Sequence, residues 1–225
     1  QKRLGRGELT PGGVAFSAGG LAVIWAEENT CEALFDALRR REVYGTTGPR
    51  ITLRFFGGAA LPAGLCNDAE LVRKAYAAGV PMGGRIQLAG AQKNPPRFVV
   101  AALRDAQAGG AKLRLLQIVK GWLDSEGRAR TQVFDLSGRR DRGPGVDLAT
   151  CRPLGTEAER GADALCAELV DPDPAILAPG ARAFYYARVL EEPTCRWSIY
   201  ECNALPLAGR PLSCSDPAIP PLIQE

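Results

Sequence analysis

There is no histidine anywhere in the 225 residues of this chain, and methionine occurs once. Without an imidazole no Ser–His or Cys–His pair can activate a nucleophile, and a zinc site loses one of its commonest ligands. No Cys-x-x-Cys spacing exists either, so a thiolate zinc site has no support in the sequence. No window of about twenty consecutive apolar residues is present, so no membrane span is expected. Charge of one sign is also lacking: 28 basic residues are interleaved with 25 acidic ones, leaving a formal net charge of +3. The short basic clusters at 39–41 and 139–142 are accounted for by a helix end and a loop, so nucleic acid is not an expected partner.

What is present is the composition of a folded domain, 46% hydrophobic and 24% charged. A chain of this length buries roughly 70% of the surface it would expose unfolded, enough for one large core or two small ones. Seven cysteines are many for a reducing compartment, and an odd number leaves at least one unpaired. Cys195, Cys202 and Cys214 crowd into a proline-rich end that a cross-link would restrain, and Cys151 and Cys166 flank a polar loop as a further candidate pair. Cys31 falls on a predicted helix, where a small apolar side chain serves as core filling. Disulfides favour a periplasmic or secreted location; a zinc site is the rival use of these thiols.

The stretch 21–56 organises the rest. Residues 21–25 form an apolar run short enough for a strand covered on both faces, as in a parallel sheet. Asn29 followed by Glu32 matches a capping box, so a helix is predicted over 30–41, ending in Arg39, Arg40 and Arg41 where its dipole is negative. Residues 45–49 turn, and 51–56 emerge as a strand with Ile51, Leu53 and Phe55 on one face. Farther on, a helix is predicted near 68–77, a turn at 81–84, and strands at 85–88, 97–103, 112–122, 128–136, 162–170, 182–191 and 197–202. Asp124 to Gly127 is the turn of a hairpin. About seven short strands with few helices argue for an antiparallel sandwich over 51–225. A strand feeding a helix is the repeating unit of α/β barrels, so 1–50 reads as the end of such a barrel.

Two groups of residues are candidates for chemistry. Glu27 and Glu28 follow the 21–25 strand, where barrel enzymes place residues that contact substrate or orient a metal-bound water. The competing explanation is that acids before a helix favour its positive end. Thr46, Thr47 and Arg50 sit in a glycine-flanked turn able to hold an anion, although a turn needs such residues for its own geometry. Lys120, Trp122 and Arg188 suit a domain interface or a carbohydrate platform, and Trp122, Tyr185, Tyr186, Trp197 and Tyr200 would have to be exposed for an accessory module that binds glycan or protein.

The segment SAGGLAVIWAEENTCEALFDALRRREVYGTTGPRITLRFFGG, with GVPMGG at 79–84, FVVAALRD at 98–105, LQIVKGWLD at 116–124, FYYARVLEEPTCRWS at 184–198 and the terminal IQE, resembles a bacterial domain-of-unknown-function family, number three-six-zero-four. That family is similar to metallohydrolases of the polymerase-and-histidinol-phosphatase (PHP) type, including the carbaryl-hydrolase-like branch. The resemblance implies a C-terminal remnant of a PHP-like α/β barrel followed by an immunoglobulin-like β-sandwich. It also implies that the His and Asp metal ligands lie upstream, in a missing N-terminal barrel of the same polypeptide. The expectation is therefore a C-terminal fragment of a metal-dependent hydrolase of unknown small-molecule substrate. No cofactor is expected in this chain, and divalent metal ions are expected in the full-length protein.

Overall fold

The computed structural model describes residues 20–88, 94–107, 110–178, 180–210, 214 and 223–224. It opens with β1 (Leu21–Ile24), α1 (Cys31–Arg40) and β2 (Val43–Thr46). α1 starts where Thr30, in an extended conformation, accepts the Ala33 N–H on its Oγ1 at 3.3 Å, so Thr30 rather than Asn29 is the cap. It stops at Arg41, which takes the left-handed conformation (φ 60°) while the backbone N–H groups at this end return to Ala37 O and Leu38 O. That reversal brings β2 back antiparallel to β1, with Leu21 opposite Thr46 and Ile24 opposite Val43. The sequence predicts a parallel strand covered on both faces; β1 is instead antiparallel and half exposed. The left-handed turn returns the chain beside β1 rather than carrying it over to restart in the same direction.

The body consists of β3 (Thr52–Gly58), α2 (Leu71–Ala78), β4 (Val80–Pro81), β5 (Arg97–Leu103), β6 (Leu113–Leu123), β7 (Ala129–Gly138), β8 (Val146–Asp147), β9 (Arg152–Pro153), β10 (Ala164–Val170), β11 (Ala183–Glu191), β12 (Thr194–Cys195), α3 (Trp197–Ala204) and β13 (Ile223–Gln224). Two larger sheets result, ordered β10-β5-β3-β4 and β11-β6-β7, and every pairing among the described residues is antiparallel. The described residues are thus mostly β, and their sheets form no closed barrel.

Alternation along the strands decides what each face covers. Leu53 of β3 and Phe98, Val100 and Ala102 of β5 join Leu116 and Ile118 of β6 in one apolar cluster shared by the two sheets. The opposite face of β3 and β5 contributes Phe56 and Val99 to a second cluster, closed by Leu61, Leu65 and Ala75. The first sheet is therefore covered on both sides, by the second sheet and by α2 with its preceding turn. Cys66 and Cys166 cross-link that turn to β10; Cys151–Cys195 and Cys202–Cys214 are the other two disulfides. Cys166 thus pairs with Cys66 and not with Cys151. Cys31 is free and exposed, because its side of α1 faces no other element, so it fills no core.

Two expected strands are absent. Residues 197–202 belong to α3, which buries the small Ser198 and Cys202 one helical turn apart. Residues 85–88 alternate polar and apolar but pair with no strand, since the turn at Gly83 (φ +81°) carries them away from β4. One strand end needs another explanation. Beyond its two-residue pairing with β4, the outer edge of β3 is met by side chains: Tyr44 Oη donates to Ile51 O at 2.8 Å and accepts the Leu53 N–H at 3.2 Å, and Trp25 Nε1–H donates to Leu53 O at 3.0 Å. The β1–β2 hairpin thus covers an edge that would otherwise offer free backbone groups.

Candidate functional site

The two main sheets part on one side, between β11 and the segment from β4 to Leu88. The opening is a cleft of about 1400 Å³. Its floor is a flank of the shared core: the partly exposed rings of Phe55 and Tyr185, both packed on the buried Phe98 ring, which stacks with Phe55 at 5.8 Å and is tilted against Tyr185 at 4.3 Å. Its rim carries Arg41, Arg85 and Arg182, and no aspartate or glutamate lines it among the described residues. Arg41 is fixed in place, its Nε and Nη2 donating to Gly83 O at 3.2 and 2.9 Å. Arg85 and Arg182 take part in no ion pair among the described residues.

Behind the floor lies a charged cluster that the body of the protein encloses. Lys120 is 1% exposed and its Nζ stands 2.9 Å from Asp171 and 3.0 Å from Asp173. Tyr185 Oη donates to the Asp171 carboxylate, so the ring lies in the cleft wall while its hydroxyl is turned into the cluster. Burial, with the Asp171 charge, raises the Tyr185 phenol above its ordinary range. The Ala175 N–H and Lys120 hold the Asp173 carboxyl below its ordinary value. Lys120 was singled out from the sequence; its acidic partners were not, because they lie about fifty residues away, after β10, and only the packing of one sheet on the other joins them.

The other residues singled out from the sequence are dispersed. Glu27 and Glu28 are exposed, and Glu28 accepts a hydrogen bond from Thr30 Oγ1 at 3.3 Å. In the turn, Thr46 Oγ1 accepts the Gly48 N–H at 3.2 Å, Thr47 is exposed, and the Arg50 N–H donates to Asp105 Oδ2 at 2.8 Å. The glutamates and the turn are on opposite ends of the β1–β2 ladder, so the structure does not bring them together. Trp122 lies beside Lys120, whose Nζ is 5.0 Å from the ring centre. Arg188 points to the outer face of the second sheet, where its Nε donates to Gln117 Oε1 at 2.7 Å. Tyr186 and Tyr200 are exposed; Trp122, Tyr185 and Trp197 are partly buried.

A second buried acid had no signal in the sequence. Glu191, at the end of β11, is 6% exposed, and its Oε1 has no hydrogen-bond partner among the described residues. Burial, with the nearby Asp105 charge, raises its carboxyl to about 7. Elsewhere, no group of three or more His, Cys, Asp or Glu side chains able to hold a metal ion is present among the described residues. No helix among these residues is long and apolar enough to cross a membrane.

Comparison with known proteins gives one match. Neither a curated protein nor a solved structure matches the chain. The family described as "Protein of unknown function (DUF3604)" matches residues 2–220, nearly the whole length. Every strand but β13, the cleft and the buried lysine cluster fall within that match, and the chain belongs to this family.

Proposed function

We propose that this chain is the non-catalytic, C-terminal part of a metal-dependent hydrolase of the PHP-like type, its two main sheets forming an immunoglobulin-like sandwich and β1–α1 completing a barrel supplied upstream. The observation that carries this reading is the uncovered upstream face: Phe35 and Leu38 on α1 are 61% and 50% exposed, and Leu21 on β1 is exposed beside them. An amphipathic helix that leaves two large apolar side chains exposed, while Ala37 is buried, suits burial of the remainder against further chain. Phosphoester, amide and carbamate cleavage are all compatible with a metal-activated water in that barrel. Three disulfides suit an oxidising compartment, so export goes with the reading.

The test compares this chain with a longer product carrying the sequence upstream of Gln1. Metal content by mass spectrometry and turnover of aryl phosphate, anilide and carbamate esters are measured on both. Metal and turnover in the longer product alone are expected, with Phe35→Asp lowering its stability. Turnover by the 225-residue chain itself would sink the division of labour.

A second reading, an accessory module that recognises a glycan or a protein partner, has its own support. On the outer face of the second sheet, Phe184 and Tyr186 stack at 6.4 Å and are 62% and 45% exposed. Phe184 lies over Gly121, its cross-strand neighbour, where a Cβ would collide with the ring. Exposed rings held in place by their sheet are a recurrent platform for binding.

A further inference from the structure

We propose that the cleft between β11 and the segment from β4 to Leu88 binds an organic anion with a flat apolar body, an aryl carboxylate being the simplest member of the class. The proposal rests on the binding-module reading and moves its site from the outer sheet face to the cleft.

Charge is the first argument. Acids make up 25 of the 225 residues, yet among the described residues none lines the cleft, whereas Arg41, Arg85 and Arg182 do. A concave surface with cations of one sign and low-dielectric walls concentrates its field, and an anion entering it meets no carboxylate at the wall. The two acids behind the floor, Asp171 and Asp173, are already held by Lys120.

The second argument is the chemistry of the wall. Guanidinium is weakly hydrated, lies flat against rings and meets a carboxylate with two parallel N–H groups, so it tolerates a partly dry site better than an ammonium does. The floor offers the partly exposed rings of Phe55 and Tyr185, backed by the buried ring of Phe98. Because Tyr185 turns its hydroxyl to Asp171, its ring presents apolar surface to the opening. A ligand with only a charge would leave these rings wet, and one with only a ring would leave Arg85 and Arg182 without a counter-ion. At about 1400 Å³ the cleft is larger than most drug-sized sites, with room for more than one ring.

The third argument concerns the chain itself. Residues 1–19 carry Lys2, Arg3 and Arg6 against Glu8, and residues 89–93 carry Lys93. Both segments have the same sign as the rim, so charge complementarity points to an occupant from outside.

The intact chain is titrated by ligand-observed NMR and calorimetry with 2-naphthoate and with its neutral counterpart 2-naphthamide. Arg85→Ala and Arg182→Ala are compared with Arg73→Ala, an exposed arginine on α2, and circular dichroism establishes that all three fold alike. Saturable binding of naphthoate is expected, with naphthamide about tenfold weaker. Each cleft variant is expected to weaken naphthoate by roughly five- to tenfold, with naphthamide unchanged and Arg73→Ala without effect. Equal binding of acid and amide would overturn the anion class while leaving the cleft a binding site. Binding of neither would overturn the cleft as a site of any kind, and naphthoate affinity indifferent to both arginines would show that it binds elsewhere.

Discussion

Glu191 and Lys120 are both charged residues placed where water does not reach, and they are stabilised in opposite ways. Lys120 has two carboxylates within 3.0 Å, whereas Glu191 has no partner on Oε1 among the described residues and its carboxyl is held protonated to higher pH by burial. Its carboxyl lies near 7 in the fold against 4.5 in an unfolded chain, so between those values the folded state binds the extra proton. Stability must then fall as pH rises through that window and level off above it, a difference of about 3 kcal/mol. Glu191→Gln is expected to match the parent near pH 4.5 and to be more stable at pH 8.5, read from urea midpoints. A constant difference across the range would mean that Glu191 is ionised throughout. Asp105 and Asp173, whose carboxyls are lowered by backbone N–H groups, act oppositely and lose their contribution as pH falls below the carboxylate range. For Lys120, truncation to Met leaves the buried Asp171 charge without its cation and is expected to cost about 3 kcal/mol in the same measurement. The double variant Lys120→Met, Asp171→Asn should lose less than the two single changes combined, since it strands no charge.

At the scale of elements, the edge of β3 shows how a short hairpin can do the work of a strand. Tyr44 answers one backbone donor and one acceptor of that edge with a single hydroxyl. Tyr44→Phe keeps the ring and removes both bonds, so a loss of about 1 to 2 kcal/mol and a rise in self-association by light scattering are expected. Unchanged stability would mean that solvent serves these groups equally well. The same region marks where the sequence could be read and where it could not. β5, β6, β7, β10 and β11 stand within about two residues of their predicted bounds, because alternating or buried β-branched runs between Gly and Pro have few other uses. The split along β11, with Tyr185, Ala187 and Val189 inward and Phe184, Tyr186 and Arg188 outward, also follows from period two alone. β2 was illegible because Gly45 and Thr46 fall in the stretch 45–49 that reads as a turn, and only its pairing with β1 makes it a strand. α3 was illegible for a related reason: its aromatic and isoleucine content favours strand, and the buried Ser198 and Cys202 that hold it helical are small residues with little signal.

At the scale of the molecule, the cleft could not be read from the sequence at all. Arg41 follows a helix, Arg85 a turn and Arg182 precedes β11; each looks like a solvated arginine, and only the packing of two sheets around Phe98 collects them. The cysteines were half legible: their number implied cross-links, and the sheet order supplied the partners. Those partners lie very different distances apart along the chain, 100 residues for Cys66–Cys166 and 12 for Cys202–Cys214. Closing the longer loop removes more freedom from the unfolded chain, by about 4 to 5 kcal/mol against roughly 3 for the shorter. The longer link also ties the turn before α2 to β10 and so fastens the second apolar cluster to the sheet it covers. Cys66→Ala, Cys166→Ala is therefore expected to lower the thermal midpoint more than Cys202→Ala, Cys214→Ala. The native protein should release one equivalent of thiol to an aromatic disulfide reagent, from the exposed Cys31. A reversed order of midpoints would move the main stabilising effect from the unfolded chain to local packing near α3, and two or more reactive thiols would mean that a pairing assigned here is not made.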